Sequence, residues 1–117
     1  MVERSFKEII EVSKRLRKDC AWDNKETIES FAKYLLEEAH EVLQSIEQKD
    51  YFSLREELGD LLWNVLFVTN IAEEKNLFTL KEVLENVKEK MIRRHPHVYG
   101  DAPNDLESIH QMWLEIK

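Results

Sequence analysis

The chain has 117 residues and a mass of 14.0 kDa, enough for one domain spanning 1–117, and contains only two glycines and two prolines. So few turn formers exclude a strand-rich fold, while 43% hydrophobic and 35% charged residues can fill and coat a core, which excludes disorder and collagen-like repeats. A net charge of −7 opposes nucleic-acid binding, the single cysteine, Cys20, excludes an internal disulfide framework, and no apolar run approaches the ~18 residues of a membrane span.

Residues 3–18 place Phe6, Ile9, Ile10 and Leu16 on one helical face. The N-terminal sequence MVERSFKEII lacks a signal-peptide profile, so a cytoplasmic location is expected. Asp19 to Lys25 breaks the pattern and reads as a loop. A second helix is expected from Glu26 to Lys49, with Ile28, Phe31, Leu35, Ala39, Val42 and Ile46 as its stripe. Ser53 with Glu56 resembles a capping box and predicts a third helix from Leu54 to Lys75. Thr79 with Glu82 repeats the signal for a fourth, Leu80 to Arg94, which His95-Pro96-His97 ends. Asn104 with Glu107 is placed to cap a short last helix ending near Ile116. The expected fold is therefore all-α: an antiparallel bundle of four main helices plus a short C-terminal one. Apolar residues from Leu58 to Ile71 cover nearly the whole circumference of the third helix. That predicts burial on every side, either wrapped by the other helices or against a second subunit in a homodimer or higher homo-oligomer. Gly59, costly inside a helix, would fit a close backbone approach or crowded side chains there.

Two acidic clusters stand out, Glu37-Glu38-x-x-Glu41 on the second helix and Glu56-Glu57-x-x-Asp60 on the third. At about 100° per residue, Glu38 lies on the edge of the apolar stripe beside Phe31 and Val42, with Glu41 and Glu37 further round. Glu57, Asp60 and Asn64 share a sector flanked by Leu61, Val68 and Ile71. A solvated face would not put acids there. The short connection makes the two helices an antiparallel hairpin, in which counting residues from the turn leaves the clusters offset by about a helical turn or more. If they meet, four carboxylates need protons or a cation, and an all-oxygen ligand set suits a hard ion such as Mg²⁺ or Mn²⁺ completed by substrate phosphates. Surface acids paired with Lys or Arg are the plainer reading. A di-iron bundle would need Glu-x-x-His on two helices, and Asp60 stands where the second histidine would be.

The fourth helix ends in Lys88, Lys90, Arg93 and Arg94, which could clamp a polyphosphate or only answer the helix C-terminus. Trp22 could stack on a base or staple the second helix; Trp113 is expected in the core, and His95 and His97 as loop hydrogen-bonders. Asn64 is a candidate substrate contact.

Four segments, CAWD (20–23), LLEEAHEV (35–42), LREELGDLL (54–62) and RRHPHVYGD (93–101), occur in order and together resemble the MazG family of nucleoside triphosphate pyrophosphohydrolases. The Glu-Glu-x-x-Glu and Glu-x-x-Asp pair, with 15 residues between Glu41 and Glu57, is that family's signature. The resemblance implies an all-α bundle that dimerises, with Mg²⁺ (Mn²⁺ as substitute) held at Glu38, Glu41, Glu57 and Asp60. Glu37 matches the first acid of the signature. Lys90 and Arg94 match positions that contact the triphosphate, with Arg93 beside them, and Trp22 one near the base. The implied reaction is hydrolysis of a nucleoside triphosphate to monophosphate and pyrophosphate, with Glu37 or Glu38 serving the attacking water. The implied partners are the triphosphate and a second subunit, with neither nucleic acid nor membrane. Family members often have Pro at the position of Ala21 and Tyr at that of His40, and neither departure removes a ligand. The competing class is a non-catalytic helical module that binds nucleotides or a protein.

Overall fold

The computed structural model describes residues 1–116, and among them the regular structure is entirely helical. In order these are α1 (Val2–Asp19), the single turn α2 (Ala21–Asn24), a 3₁₀ turn (Glu29–Phe31), α3 (Ala32–Glu47), α4 (Tyr51–Glu74), α5 (Leu80–Arg93), the single turn α6 (Pro96–Tyr99) and α7 (Leu106–Ile116). The four long helices and the short last one expected from the sequence are all present. They fall into two compact units, one spanning Met1–Leu80 and one beginning at Lys81.

Helix boundaries differ from the predicted ones for reasons visible in the caps. The second predicted helix is split. Thr27 Oγ1 accepts from the Ser30 amide and Ser30 Oγ from the Thr27 amide, and this reciprocal pair winds a tight turn before α3. At the other end Lys49 adopts φ 56°, and the Asp50 amide reaches back to the Ser45 carbonyl, closing α3 as a Schellman motif. Asp50 then caps α4: its Oδ1 accepts from the Ser53 amide at 3.2 Å and its Oδ2 from the Ser53 hydroxyl at 2.7 Å. Helix α4 therefore starts at Tyr51, ahead of the predicted Leu54, because a full carboxylate outcompetes Ser53 as the capping group. The same substitution occurs at α7, where Asp105 and not Asn104 receives the Ser108 amide and hydroxyl. The segment read as a loop before Lys25 contains the helical turn α2.

In the first unit α3 and α4 form the antiparallel hairpin, and α1 packs on α4. Its core is aromatic. Phe31 stacks on Phe67 with centroids 4.6 Å apart, Tyr34 meets Phe31 edge-on, and Trp63, Val68 and Ile28 close around them. The pairing register is symmetric about Lys49: Phe31 and Phe67 lie equally far from it in sequence, and so do Tyr34 and Asn64, whose Nδ2 donates to the Tyr34 carbonyl at 3.2 Å. Burial of α4 is concentrated in its C-terminal half, where Leu66, Phe67, Ile71 and Ala72 are buried, and even there it does not extend to every side, since Val65 is exposed. Leu58 and Leu62 in its first half are exposed too, as are Leu36, Leu43 and Ile46 on α3. A side chain built at Gly59 would have open space around it, so no crowding within this chain accounts for that glycine.

In the second unit α6 begins with Pro96 at its first position, where the missing N–H costs nothing. Trp113 on α7 is half-buried; the Arg94 guanidinium lies over its ring at 5.2 Å and His95 meets it edge-on at 5.6 Å. The His95 ring also bonds the Met91 carbonyl.

Candidate metal centre

Because the hairpin turns at Lys49, Glu38 on α3 and Asp60 on α4 are equally far from the turn and come level. The predicted offset is thus absent, since α3 ends earlier and α4 starts earlier than the sequence pattern suggested. Glu38, Glu57 and Asp60 each bring one carboxylate oxygen within 4.8 Å of the others. Glu38 and Glu57 are partly buried and Asp60 is exposed.

Three anionic groups this close repel strongly. At 4.8 Å each pair costs about 3.5 kcal/mol at an effective dielectric of 20. The Glu38 carboxyl responds by holding its proton: its pKa is pushed up to about 7, first by burial, then by a hydrogen bond with Glu57, then by the charges of Asp60, Glu57 and Glu41. Its Oε2 is shut off from solvent and meets no donor. The ion pairs Arg15–Asp19 and Arg17–Glu74 lie elsewhere, and among the described residues no lysine or arginine pairs with Glu38, Glu57 or Asp60. The plain reading of acids matched to surface cations therefore does not apply to these three. Three carboxylates, one of them with a buried oxygen that meets no donor, fit a divalent cation.

The other candidates are distributed as follows. Glu41 is exposed and lies outside the tight cluster, although its charge reaches Glu38. Glu37 is exposed and also outside it. Asn64 is buried, and its Nδ2 donates to the Tyr34 carbonyl, which braces the two helices. Lys90 and Arg93 are exposed on α5. Arg94, just after it, is half-buried over Trp113, so that tryptophan is a cation–π partner and not a core filler.

Trp22 on α2 is 71% exposed and, with Ala21, Lys25 and Glu26, lines a shallow depression. The turn that carries it is held by a residue the sequence reading passed over. Arg17 Nη1 donates to the carbonyls of Asp23 (2.7 Å), Asn24 (3.1 Å) and Glu26 (2.7 Å), and its Nε donates to Glu74 on α4 at 2.8 Å. Asn24 Nδ2 returns a bond to the Arg17 carbonyl. The only sequence signal for this was a basic residue in the last turn of the first helix, which helix-end electrostatics already accounts for.

Comparison with known proteins agrees with this architecture. Residues 26–99 match the family model of the MazG nucleotide pyrophosphohydrolase domain. The chain is 41% identical over 114 residues to the nucleoside triphosphate pyrophosphohydrolase/pyrophosphatase MazG of Thermotoga maritima, covering 96% of this chain and 44% of that protein. It is 37% identical over 113 residues to a nucleoside triphosphate pyrophosphohydrolase of Escherichia coli K12, covering 93% and 43%. The chain thus spans under half the length of these curated relatives. The crystal structure of a mazG-related protein from Thermotoga maritima superposes with a TM-score of 0.81 at 27% identity, covering 94% of this chain and 96% of that one. The chain belongs to the MazG nucleotide pyrophosphohydrolase family.

Proposed function

We propose that this MazG-family chain, acting over 1–117 as one domain, hydrolyses nucleoside triphosphates at the α–β anhydride in a Mg²⁺-dependent reaction, with Mn²⁺ as a substitute. The observation behind this reading is the convergence of Glu38, Glu57 and Asp60 with no lysine or arginine paired to them among the described residues, in a family whose relatives carry that activity in their names. Glu38, Glu57 and Asp60 would hold the metal, with Glu41 joining from the next turn of α3. When bound, the ion supplies charge neutralisation for the phosphates and lowers the pKa of water.

Water adds across the α–β bridge: its oxygen bonds one phosphorus, the bridging oxygen leaves with the other, and monophosphate and pyrophosphate result. Glu38 or Glu37 would orient that water or take its proton. Lys90, Arg93 and Arg94 offset charge on the pyrophosphate, with Arg94 suited to forked contacts. Trp22 offers a planar face to the base. The exposed apolar rows on α3 (Leu36, Leu43, Ile46) and α4 (Leu58, Leu62, Val65) support a homodimer or larger assembly. No described helix is long and apolar enough to cross a membrane.

Incubation with each triphosphate and Mg²⁺, with products read by phosphorus NMR, tests the reaction. Monophosphate and pyrophosphate are expected; diphosphate and orthophosphate would reject the proposed bond. Glu38→Gln and Asp60→Asn are expected to lose turnover while keeping the helical circular dichroism, and full activity in both would remove the metal assignment.

A further inference from the structure

We infer that Arg17 is a positioning residue that shapes the Ala21–Glu26 turn so that Trp22 is preorganised to receive the base of the nucleotide. This rests on the reading that the chain binds nucleoside triphosphates.

A helical turn of four residues does not sustain itself, because nucleation fixes several dihedrals for one hydrogen bond. The backbone bonds that close it are long, with the Lys25 amide to the Trp22 carbonyl and the Glu26 amide to the Asp23 carbonyl both at 3.3 Å. Arg17 adds a charged donor to the carbonyls of Asp23, Asn24 and, just past the turn, Glu26, while Glu74 holds the far side of the guanidinium. The Arg17 side chain is 15% exposed, so these bonds form largely away from water, where a charged donor is strongest. The reciprocal Asn24-to-Arg17 bond and the Thr27–Ser30 pair lock the segment on both sides of the turn.

The result is an unusual combination: a large aromatic side chain left mostly in solvent on backbone that is tightly held. Among the described residues the core aromatics are Phe31, Tyr34, Trp63 and Phe67, and Trp22 is not one of them. A rigid exposed ring loses little freedom when a planar ligand stacks on it, which is the advantage of preorganisation. Lysine cannot replace Arg17 in this role, because a point charge does not span three carbonyls and a carboxylate at once.

The test uses the full chain labelled with fluorotryptophan at Trp22, Trp63 and Trp113, in which the Trp22 resonance is identified by its loss in Trp22→Phe. Arg17→Gln is expected to shift and broaden the Trp22 resonance while those of Trp63 and Trp113 stay in place. In turnover, Arg17→Gln and Trp22→Ala are each expected to raise KM for a nucleoside triphosphate by about tenfold, within the range for loss of one base–aromatic stack. kcat and the inhibition constant of inorganic tripolyphosphate, which has no base, stay within about twofold. The double variant is expected to be no worse than either single one, and Arg17→Lys to rescue little. An unmoved Trp22 resonance in Arg17→Gln, or additive KM effects, would overturn the inference. Should Arg17→Gln lose its helical signal, Asn24→Ala removes only the reciprocal bond, and the same resonance must respond. A wild-type protein without turnover would refute the hydrolase reading alone. Titration with a nucleoside triphosphate then decides the Arg17 role: a Trp22 shift that Arg17→Gln abolishes upholds it, and no shift overturns it.

Discussion

Replacing Glu38 by glutamine is expected to stabilise the metal-free protein at alkaline pH while removing its response to Mg²⁺. In the unfolded chain this carboxyl ionises near 4.5, and in the folded one near 7. Between those values the folded form keeps a proton that the unfolded form has shed. Stability therefore falls as pH rises through that window. Taken at full value, that shift corresponds to a loss of about 3 kcal/mol. Glu38 is only partly buried, and screening reduces the figure to about 1–2 kcal/mol. For a domain of this size that is a difference of roughly 5–10 °C in Tm. Thermal melts in chelator at pH 5 and pH 8 measure it. The wild type is expected to lose more stability across that interval than Glu38→Gln by this amount, since the amide has no proton to shed. With Mg²⁺ at a hundred times Kd, the wild type regains about 2.7 kcal/mol and the variant little. Parallel pH curves for the two proteins, or equal gains with Mg²⁺, would refute the account of the cluster as mutually repelling ligands.

Gly59→Ala meets no atom within 4 Å beyond its neighbours and the backbone of its own helix, so a gain of up to about 1 kcal/mol is expected in denaturant melts, and a loss of stability together with a lower mass in light scattering would refute it. Phe67→Ala, at a fully buried ring stacked on Phe31, is expected to cost about 3–5 kcal/mol in denaturant melts. Asp50→Ala removes the cap that starts α4 and is expected to lower Tm. The Ser53 hydrogen bonds hold the Asp50 carboxyl below its usual 3.8, so the cap's contribution is present above that value and fades as pH falls through the lower folded pKa. Melts of both proteins at pH 7 and pH 2.5 should therefore converge at the acid end.

Helical class, the number of long helices, and acids sitting on apolar edges were all legible in the sequence, because each depends only on periodicity and composition within one segment. The match to a known family was legible too, through four short segments in order. What local pattern did not decide was register. Counting from assumed caps put the two acid clusters a turn apart, and only the αL residue Lys49 together with the Asp50 cap brings Glu38 level with Asp60. The same contacts decide that Asn64 braces two helices and that Glu41 stands outside the tight cluster. Arg17 escaped notice for a related reason. A lone basic residue at a helix end is ordinary in sequence, and its partners are backbone carbonyls, which carry no side-chain signature until the chain has folded.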